Sequence, residues 1–334
     1  MLLWMVLSTL LLASACLVGV YRKLALAQGW VDTPNHRSSH SRATPRGAGL
    51  VFALLIGLAS VAGVAMEVMP PTLAGGVVTG LGIAWVGWWD DLKGVAARYR
   101  FGLYWLVSLA ASLFIYEAFA RAPRDWALLA ILFATTAALQ WLVNLYNFMD
   151  GINGIAAAEA IFVLCAMFVC GVHTGGASWL LACAVVAIAG FLFWNFPVAL
   201  VFMGDAGSAF LGFLLGLMMI WSGLQNPASV AIGLILLGVF IVDATYTLLV
   251  RMFTGQAWYQ GHRQHAYQIW ARRCGSHSRV VAGVLMINLF WLLPWAWLVA
   301  QHRIAAPWAL ALAYAPLLVI CCASGAGKAS PTQV

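Results

Sequence analysis

Charged residues are scarce in this chain. Of its 334 residues only 8% are Asp, Glu, Lys or Arg, whereas 64% are hydrophobic. A soluble domain carries about 25% charged residues and could not shield so much apolar surface from water. The composition therefore excludes a soluble globular protein and predicts an all-α, polytopic membrane protein.

Several sequence signatures are absent as well. The seven cysteines have neither the spacing of a metal site nor that of a disulfide framework, and we interpret them as small core residues. The chain has no P-loop and no dinucleotide fingerprint. No basic residue precedes the first apolar run, so we expect an uncleaved membrane anchor there rather than a secretory signal.

What the sequence does contain is a series of long apolar segments. Windows of about 19 residues predict eleven membrane-spanning helices. Their approximate limits are residues 2–20, 47–67, 72–89, 102–120, 126–143, 155–172, 179–194, 207–223, 229–250, 280–300 and 308–323. We expect residues 1–334 to form a single integral membrane domain. Its main cytoplasmic loops are expected at 21–46, 90–101, 144–154, 195–206 and 251–279.

The loop charges predict how these helices are oriented. All but three of the 17 Lys and Arg residues fall in one set of loops, and the exceptions are Arg121, Arg124 and Arg303. The positive-inside rule places the basic set in the cytoplasm, which makes the N-terminus periplasmic and the C-terminus cytoplasmic. The acids on the same side include Asp32, Asp90, Asp91, Asp150 and Asp205. Topology does not require acids there, so an active site is expected on the cytoplasmic face.

Two polar clusters lie where predicted spans end. GWWDDLKG places Asp90 beside Asp91, and adjacent carboxylates repel each other unless a cation lies near them. The pair could form a Mg²⁺ site or supply a general base, or it could be two solvated acids. NLYNFMDGING spaces Asn144, Asn147 and Asp150 three residues apart, so that they share one face of a helical turn. Helix caps account for one or two of its polar residues, but not for all of them.

Three further clusters fall in predicted cytoplasmic loops. WNFPVALVFMGDAGSAFLG contains Asp205 at the start of a helix, where Asp205 could be a cap or the free N–H groups could bind phosphate. WYQGHRQHAYQ holds His262, Arg263 and His265, which suit a phosphate clamp but lack a third ligand for zinc. DTPNHRSSHSRATPRGAG includes Arg46. For these last two clusters, a basic loop that only fixes topology is the alternative.

The five clusters together indicate one kind of chemistry. Oxygen ligands without cysteine favour Mg²⁺, or Mn²⁺ in its place, over zinc. Mg²⁺ combined with Arg, His and helix N-termini is suited to a diphosphate. A diphosphate handled inside a membrane bundle implies a second substrate in the lipid. The residues thus predict a phosphoryl-type transfer onto a lipid.

The same stretches, in order from about residue 30 to 268, resemble the polyprenyl-phosphate N-acetylhexosamine-1-phosphate transferases of glycosyltransferase family 4. The matched patterns are DxPNxRxxH…PRGxG, DDxxG, NxxNxxDGxxG and NxPxAxxFMGDxGS. The family includes the phospho-MurNAc-pentapeptide translocase, and this chain is most similar to the branch that initiates O-antigen. It departs from the family at Asn153, where a second Asp is common, and after His265, where further histidines are common.

The resemblance implies a role for each matched residue. The implied catalytic residues are Asp90, Asp91, Asp205 and His265, with Asp90 as the base for the lipid phosphate. The implied substrate-binding residues are Arg46, Asn144, Asn147, Asp150, Asn195, His262 and Arg263. The implied metal ligands are Asp205, Asp91 and Asp150.

The resemblance also implies the reaction and the partners. An N-acetylamino-sugar 1-phosphate would pass from a UDP-sugar to undecaprenyl phosphate in the bacterial inner membrane, with release of UMP. The sugar would be of the GlcNAc, GalNAc, FucNAc or QuiNAc type. Nucleic acid is not an expected partner, and a homodimer is allowed. The alternatives are a peptidoglycan-type transferase, a transporter with the acids as an ion relay, and a CDP-alcohol phosphotransferase, whose Asp-Gly…Ala-Arg pattern is missing here.

Overall fold

The computed structural model describes residues 2–34, 42–117, 126–172, 175–257 and 261–328, and they fold as an all-α bundle. The helices are α1 Leu2–Gln28, α2 Gly49–Ala65, α3 Pro71–Lys93, α4 Ala97–Glu117, α5 Trp126–Met149, α6 Ile155–Val169, α7 Ala177–Asn195, α8 Gly204–Gln225, α9 Ala228–Leu236, α10 Gly238–Phe253, α11 Ala266–Cys274, α12 His277–Ile287, α13 Leu293–Ala300 and α14 Ala306–Ser324. A π-helix, Asn288–Leu292, joins α12 to α13. A short antiparallel ladder pairs β1 Val31–Asp32 with β2 Thr44–Pro45.

Over its described residues, each of the eleven apolar segments predicted from the sequence is mainly helical, but not all of these helices are long enough to cross a membrane. Eight helices of the described chain pass that test, among them the continuous run 277–300. α9 and α10 form a ninth span if they are counted together, and they are bent by 74° at their junction. α2 and α6 have only 17 and 15 residues. The chain is a multi-pass membrane protein, whereas its orientation stays a prediction.

α8 is the central helix of the bundle. It is buried along most of its length between α3 and α5. Glycines let the helices approach closely, as small residues do in membrane bundles. A Cβ atom on Gly49 would lie 2.2 Å from the Cα of Gly207, so the first turns of α2 and α8 are in direct backbone contact.

The loop before α2 is fastened to the segment before α8. The amide of Phe202 donates to the carbonyl of Pro45 at 2.8 Å, and the amide of Ala48 donates to the carbonyl of Phe202 at 3.1 Å. Between these bonds, the carbonyl of Arg46 accepts the hydroxyl of Tyr21 at 2.9 Å. Arg46 is thereby held beside the N-terminus of α8, although it lies far from that helix in the sequence.

Candidate active site

A cleft of about 290 Å³ opens at one end of the bundle. Its lining residues are Asp32, Arg46, Asp91, Asn147, Asp150, Gly151, Ile152, Asn153, Asn195, Phe202, Met203, Gly204, Asp205, Ser208, Gln268 and His277. All five polar clusters of the sequence contribute to this list. The structure therefore brings the separate clusters together around one space.

Asp91, a residue of α3, caps the N-terminus of α8 with its side chain. Its two carboxylate oxygens accept the amides of Asp205 at 3.1 Å and Ala206 at 3.2 Å. Its side chain is 3% exposed, and Nε of Arg46 lies 3.4 Å from Oδ1. The approach is possible because position 87 is glycine: a Cβ there would lie 2.5 Å from the carbonyl of Asp205. A carboxylate at a helix N-terminus satisfies otherwise unpaired N–H groups and opposes the helix dipole.

Arg100 joins the two other acids of this region. Nη1 of Arg100 contacts the carboxylates of both Asp90 and Asp205, the latter at 2.5 Å. The second oxygen of Asp90 accepts the amide of Val95 at 2.5 Å. Gly94 ends α3 with φ of 70°, and α4 then carries Arg100 back to the acids. Asp90 does not line the cleft, and both of its carboxylate oxygens are engaged by the protein.

Asp150 lies just beyond α5 and faces the cleft. Among the described residues no hydrogen bond to its carboxylate is found. Burial, and then the negative charge of Asp205, raise the pKa of Asp150 to about 7. Asn147, one turn earlier, donates from Nδ2 to Oγ of Ser208 at 2.9 Å. The end of α5 and the start of α8 thus form one polar wall.

Two asparagines of the predicted site hydrogen-bond the protein backbone. Asn144 does not line the cleft, because its Nδ2 donates to the carbonyl of Gln140 on its own helix at 2.7 Å. Asn195 does line it, but both ends of its amide are used. Its Oδ1 accepts the amide of Gly154 at 2.7 Å, and its Nδ2 donates to the carbonyl of Val201 at 2.9 Å. Asn195 therefore holds the two cleft loops to each other.

The histidine-containing loop is built around Asp243 of α10. The carboxylate of Asp243 accepts the amides of Ala266 at 2.8 Å and Tyr267 at 2.9 Å, and so begins α11. Nδ1 of His265 lies 3.4 Å from Oδ1 of the same carboxylate, and His265 is only 3% exposed. Asp243 acts on α11 as Asp91 acts on α8.

None of the three residues predicted in this loop is among the described residues that line the cleft. His265 is buried and stacks on His262, with ring centroids 4.8 Å apart. Burial, and then the neighbouring His265 and Arg251, lower the pKa of His262 to about 3, so it is neutral at physiological pH. Arg263 is exposed away from the lining. The sequence predicts that these side chains contact the substrate, but the structure places them away from the cleft lining. The loop instead binds Asp243 through the backbone amides that start α11.

Three residues of the site region were not predicted from the sequence. Gln268, one turn after His265, lines the cleft, and its Oε1 accepts the amide of His265 at 3.3 Å. His277, the first residue of α12, lines it too, and its Nδ1 accepts the amide of Asn153 at 3.3 Å. Neither has the spacing of a known motif. The sequence gave only a weak indication for Arg100, namely a basic residue in the first turn of the helix that follows Asp90.

The oxygen donors of the cleft suit a Mg²⁺ ion that is held by one or two carboxylates and by the substrate. Among the described residues, no three His, Cys, Asp or Glu side chains come close enough to form a metal cluster. Proteins, however, usually bind Mg²⁺ through one or two carboxylates together with substrate phosphates. Asp150 and Asp205 line the cleft beside the hydroxyl of Ser208, and hard oxygen donors of this kind fit that pattern.

Comparisons with known proteins point to one family. The model of glycosyl transferase family 4 matches residues 73–223. The chain is 30% identical to a "Probable undecaprenyl-phosphate N-acetylglucosaminyl 1-phosphate transferase" of Bacillus subtilis (strain 168), over 74% of this chain and 71% of that protein. It is also 30% identical to a phospho-N-acetylmuramoyl-pentapeptide-transferase of a Nitratiruptor species, over 65% of this chain and 69% of that protein.

A third relative lies at a similar distance. It is a decaprenyl-phosphate N-acetylglucosaminephosphotransferase of Mycolicibacterium smegmatis, 29% identical over 59% of this chain and 54% of that protein. The matched family segment runs from α3 to α8 and includes Asp91, Asn147, Asp150 and Asp205 of the cleft. The chain belongs to glycosyl transferase family 4, as the motifs predict.

Proposed function

We propose that this protein transfers an N-acetylamino-sugar 1-phosphate from a UDP-sugar to undecaprenyl phosphate on the cytoplasmic face of a bacterial inner membrane. The lipid product would begin an O-antigen or a related polysaccharide. The observation that carries the proposal is a single cleft, at one end of a membrane bundle, lined by Asp91, Asp150 and Asp205. The names of the relatives supply the prenyl phosphate and the sugar.

The reaction needs one bond to form and one to break. An oxygen of the lipid phosphate bonds to the phosphorus that carries the sugar, and the bond from that phosphorus to the UMP oxygen breaks. UMP leaves with the electron pair. Catalysis then consists of positioning the two phosphates and offsetting their charge.

The described lining of the cleft supplies one guanidinium, that of Arg46, together with uncharged polar groups for that work. Arg46 lines it with its side chain 32% exposed, so its guanidinium can reach a phosphate oxygen. Gln268 and His277 also line the cleft and suit the uncharged sugar or base. Arg100 orients Asp205, and Asp90 acts through Arg100 rather than as a base. A phosphate monoester is largely ionised at neutral pH and can attack without one.

Mg²⁺ is the proposed cofactor, and Mn²⁺ offers the same coordination chemistry. When bound, the ion neutralises diphosphate and leaving-group charge. Asp205 and Asp150 are the residues that would hold it. Asp91 would act indirectly, because both of its oxygens are bound to the start of α8.

The test is a substrate panel on purified protein in nanodiscs. UMP and lipid product are measured with undecaprenyl phosphate and UDP-GlcNAc, UDP-GalNAc, UDP-FucNAc or UDP-QuiNAc, with Asp205→Asn as the inactive control. UMP release with one of these sugars is the expected result. Turnover only with UDP-MurNAc-pentapeptide would favour the peptidoglycan-type reaction, which the similarity to the Nitratiruptor protein supports as the second candidate. Uptake of substrate into vesicles without UMP release would favour a transporter.

A further inference from the structure

Glu159 is a buried acid that the proposed chemistry does not use. It lies on α6 with 1% of its surface exposed, opposite Asn288, which is fully buried at the start of the π-helix. Nδ2 of Asn288 donates to Oε2 of Glu159 at 2.5 Å. The remaining oxygens, Oε1 of Glu159 and Oδ1 of Asn288, are both buried, and neither has a hydrogen-bond partner in the described part of the chain.

No cation of the described chain neutralises this acid, since none of the ion pairs found there includes Glu159. Tyr146 on α5 is within electrostatic range, but its hydroxyl donates to the carbonyl of Ala156 at 2.7 Å. An unpaired buried carboxylate costs far more free energy than a neutral acid.

One proton resolves both unpartnered oxygens. A protonated carboxyl has an O–H donor and a carbonyl acceptor, and a primary amide has an N–H donor and a carbonyl acceptor. If the proton is on Oε1 of Glu159, it can be donated to Oδ1 of Asn288, while the observed bond from Nδ2 closes the ring. An ionised Glu159 has no donor and would leave both Oε1 and Oδ1 without a partner in the described part of the chain.

The contact joins α6 to the continuous helical run 277–300, and both begin at the cleft. α6 follows the segment of Asp150 and Asn153, and α12 begins with His277. The amide of Asn153 donates to Nδ1 of His277, so the segment just before α6 also contacts the start of α12 at the cleft itself. The π-helix adds a residue to the turn that carries Asn288, and such insertions are frequent at functional sites.

We propose that Glu159 is protonated and forms with Asn288 a neutral acid–amide pair that positions the α12 side of the cleft. Both are positioning residues, because neither lines the cleft. The protonation state is independent of the proposed function, whereas the effect on substrate binding rests on it.

The first test is spectroscopic and does not need turnover. The infrared difference spectrum between the wild type and Glu159→Gln should show loss of a protonated carboxyl C=O band, which shifts in D₂O. Gln keeps the shape and both hydrogen bonds, so this variant should unfold at the temperature of the wild type. Loss of carboxylate bands instead would show that Glu159 is ionised and would overturn the assignment.

The second test exchanges the partners. Asn288→Asp alone places a second buried acid against Glu159, and that acid must also be protonated to stay neutral. This variant should therefore lower the unfolding temperature by at least about 2 °C. The double variant Glu159→Gln/Asn288→Asp rebuilds the pair in reverse and should recover most of that loss. A double variant no more stable than Asn288→Asp would contradict the pairing.

The third test addresses positioning. Glu159→Leu should raise KM for the UDP-sugar several-fold with a smaller change in kcat, and Glu159→Gln should not. If Glu159→Leu leaves KM unchanged, the pair has no positioning role, even where the infrared result stands. If the wild type turns over none of the sugars, the proposed function fails, and the first two tests still decide the pair.

Discussion

At the scale of single residues, Arg100 controls the charge at the site. Its guanidinium contacts the carboxylates of both Asp90 and Asp205. A planar cation with several donors can bridge two carboxylates, and the Lys ammonium does so less well. Without this bridge, Asp205 would keep the repulsion of its acidic neighbours and lose its orientation towards the cleft.

We expect Arg100→Ala to lower the rate of UMP release by roughly 100-fold, the lower end of the loss found when one preorganised transition-state donor is removed, because Asp205 would lose its orientation. Arg100→Lys should fall between this variant and the wild type. Arg98→Ala is the matched control, because Arg98 lies two residues away over the ring of Tyr99 and contacts none of the acids in the described chain. Wild-type turnover by Arg100→Ala would show that the bridge has no part in the reaction.

At the scale of elements, the N-termini of two helices are capped by a carboxylate from another helix. Asp91 of α3 holds the first amides of α8, and Asp243 of α10 holds those of α11. Each contact fixes the direction of a helix that borders the cleft. The position of Asp205 therefore depends on Asp91 even if Asp91 never touches the substrate.

This division of roles predicts different stabilities for two variants at one site. Asp91→Ala leaves the N–H groups of α8 without their cap, and should lower the free energy of unfolding by about 1–2 kcal/mol. Asp205→Asn removes a charge from a crowded acidic region, and should leave stability unchanged or raise it. Both variants should lose UMP release. Thermal unfolding of the two proteins beside the wild type provides the measurement, and an Asp91→Ala protein as stable as Asp205→Asn would refute the capping role.

Sequence patterns located the elements better than they located the contacts. Hydropathy located the apolar helices of the described chain, because a helix in lipid must be apolar over most of its length, but it counted the shorter helices α2 and α6 as spans. It could not reveal the 74° bend between α9 and α10, since both halves are equally apolar. Spacing placed Asn147 and Asp150 at the cleft, but it could not show that Asn144 bonds its own helix or that the backbone after His265 is bound by Asp243. Those partners could not be read from the spacing of the motifs alone.

At the scale of the whole molecule, the polar residues that line the cleft come together at one end of the described bundle. The connections after α1, α3, α5, α7 and α10 supply the cleft and its surroundings. The described turn between α13 and α14, with His302 and Arg303, belongs to the predicted opposite side. UDP-sugars are cytoplasmic metabolites in the proposed reaction, so the orientation of the bundle decides whether the cleft can reach its substrate.

The last prediction concerns that orientation. Cys274 is exposed at the end of α11, and His302→Cys would place a thiol in the turn before α14. The measurement uses variants in which Cys274 or the thiol at position 302 is the one cysteine of the chain. A membrane-impermeant reagent should label Cys274 in inside-out vesicles and the thiol at position 302 in right-side-out vesicles. Permeabilised vesicles, in which both should react, control for access. The reverse pattern would place the basic loops and the cleft outside, against the positive-inside rule, and would exclude transfer from a cytoplasmic nucleotide sugar.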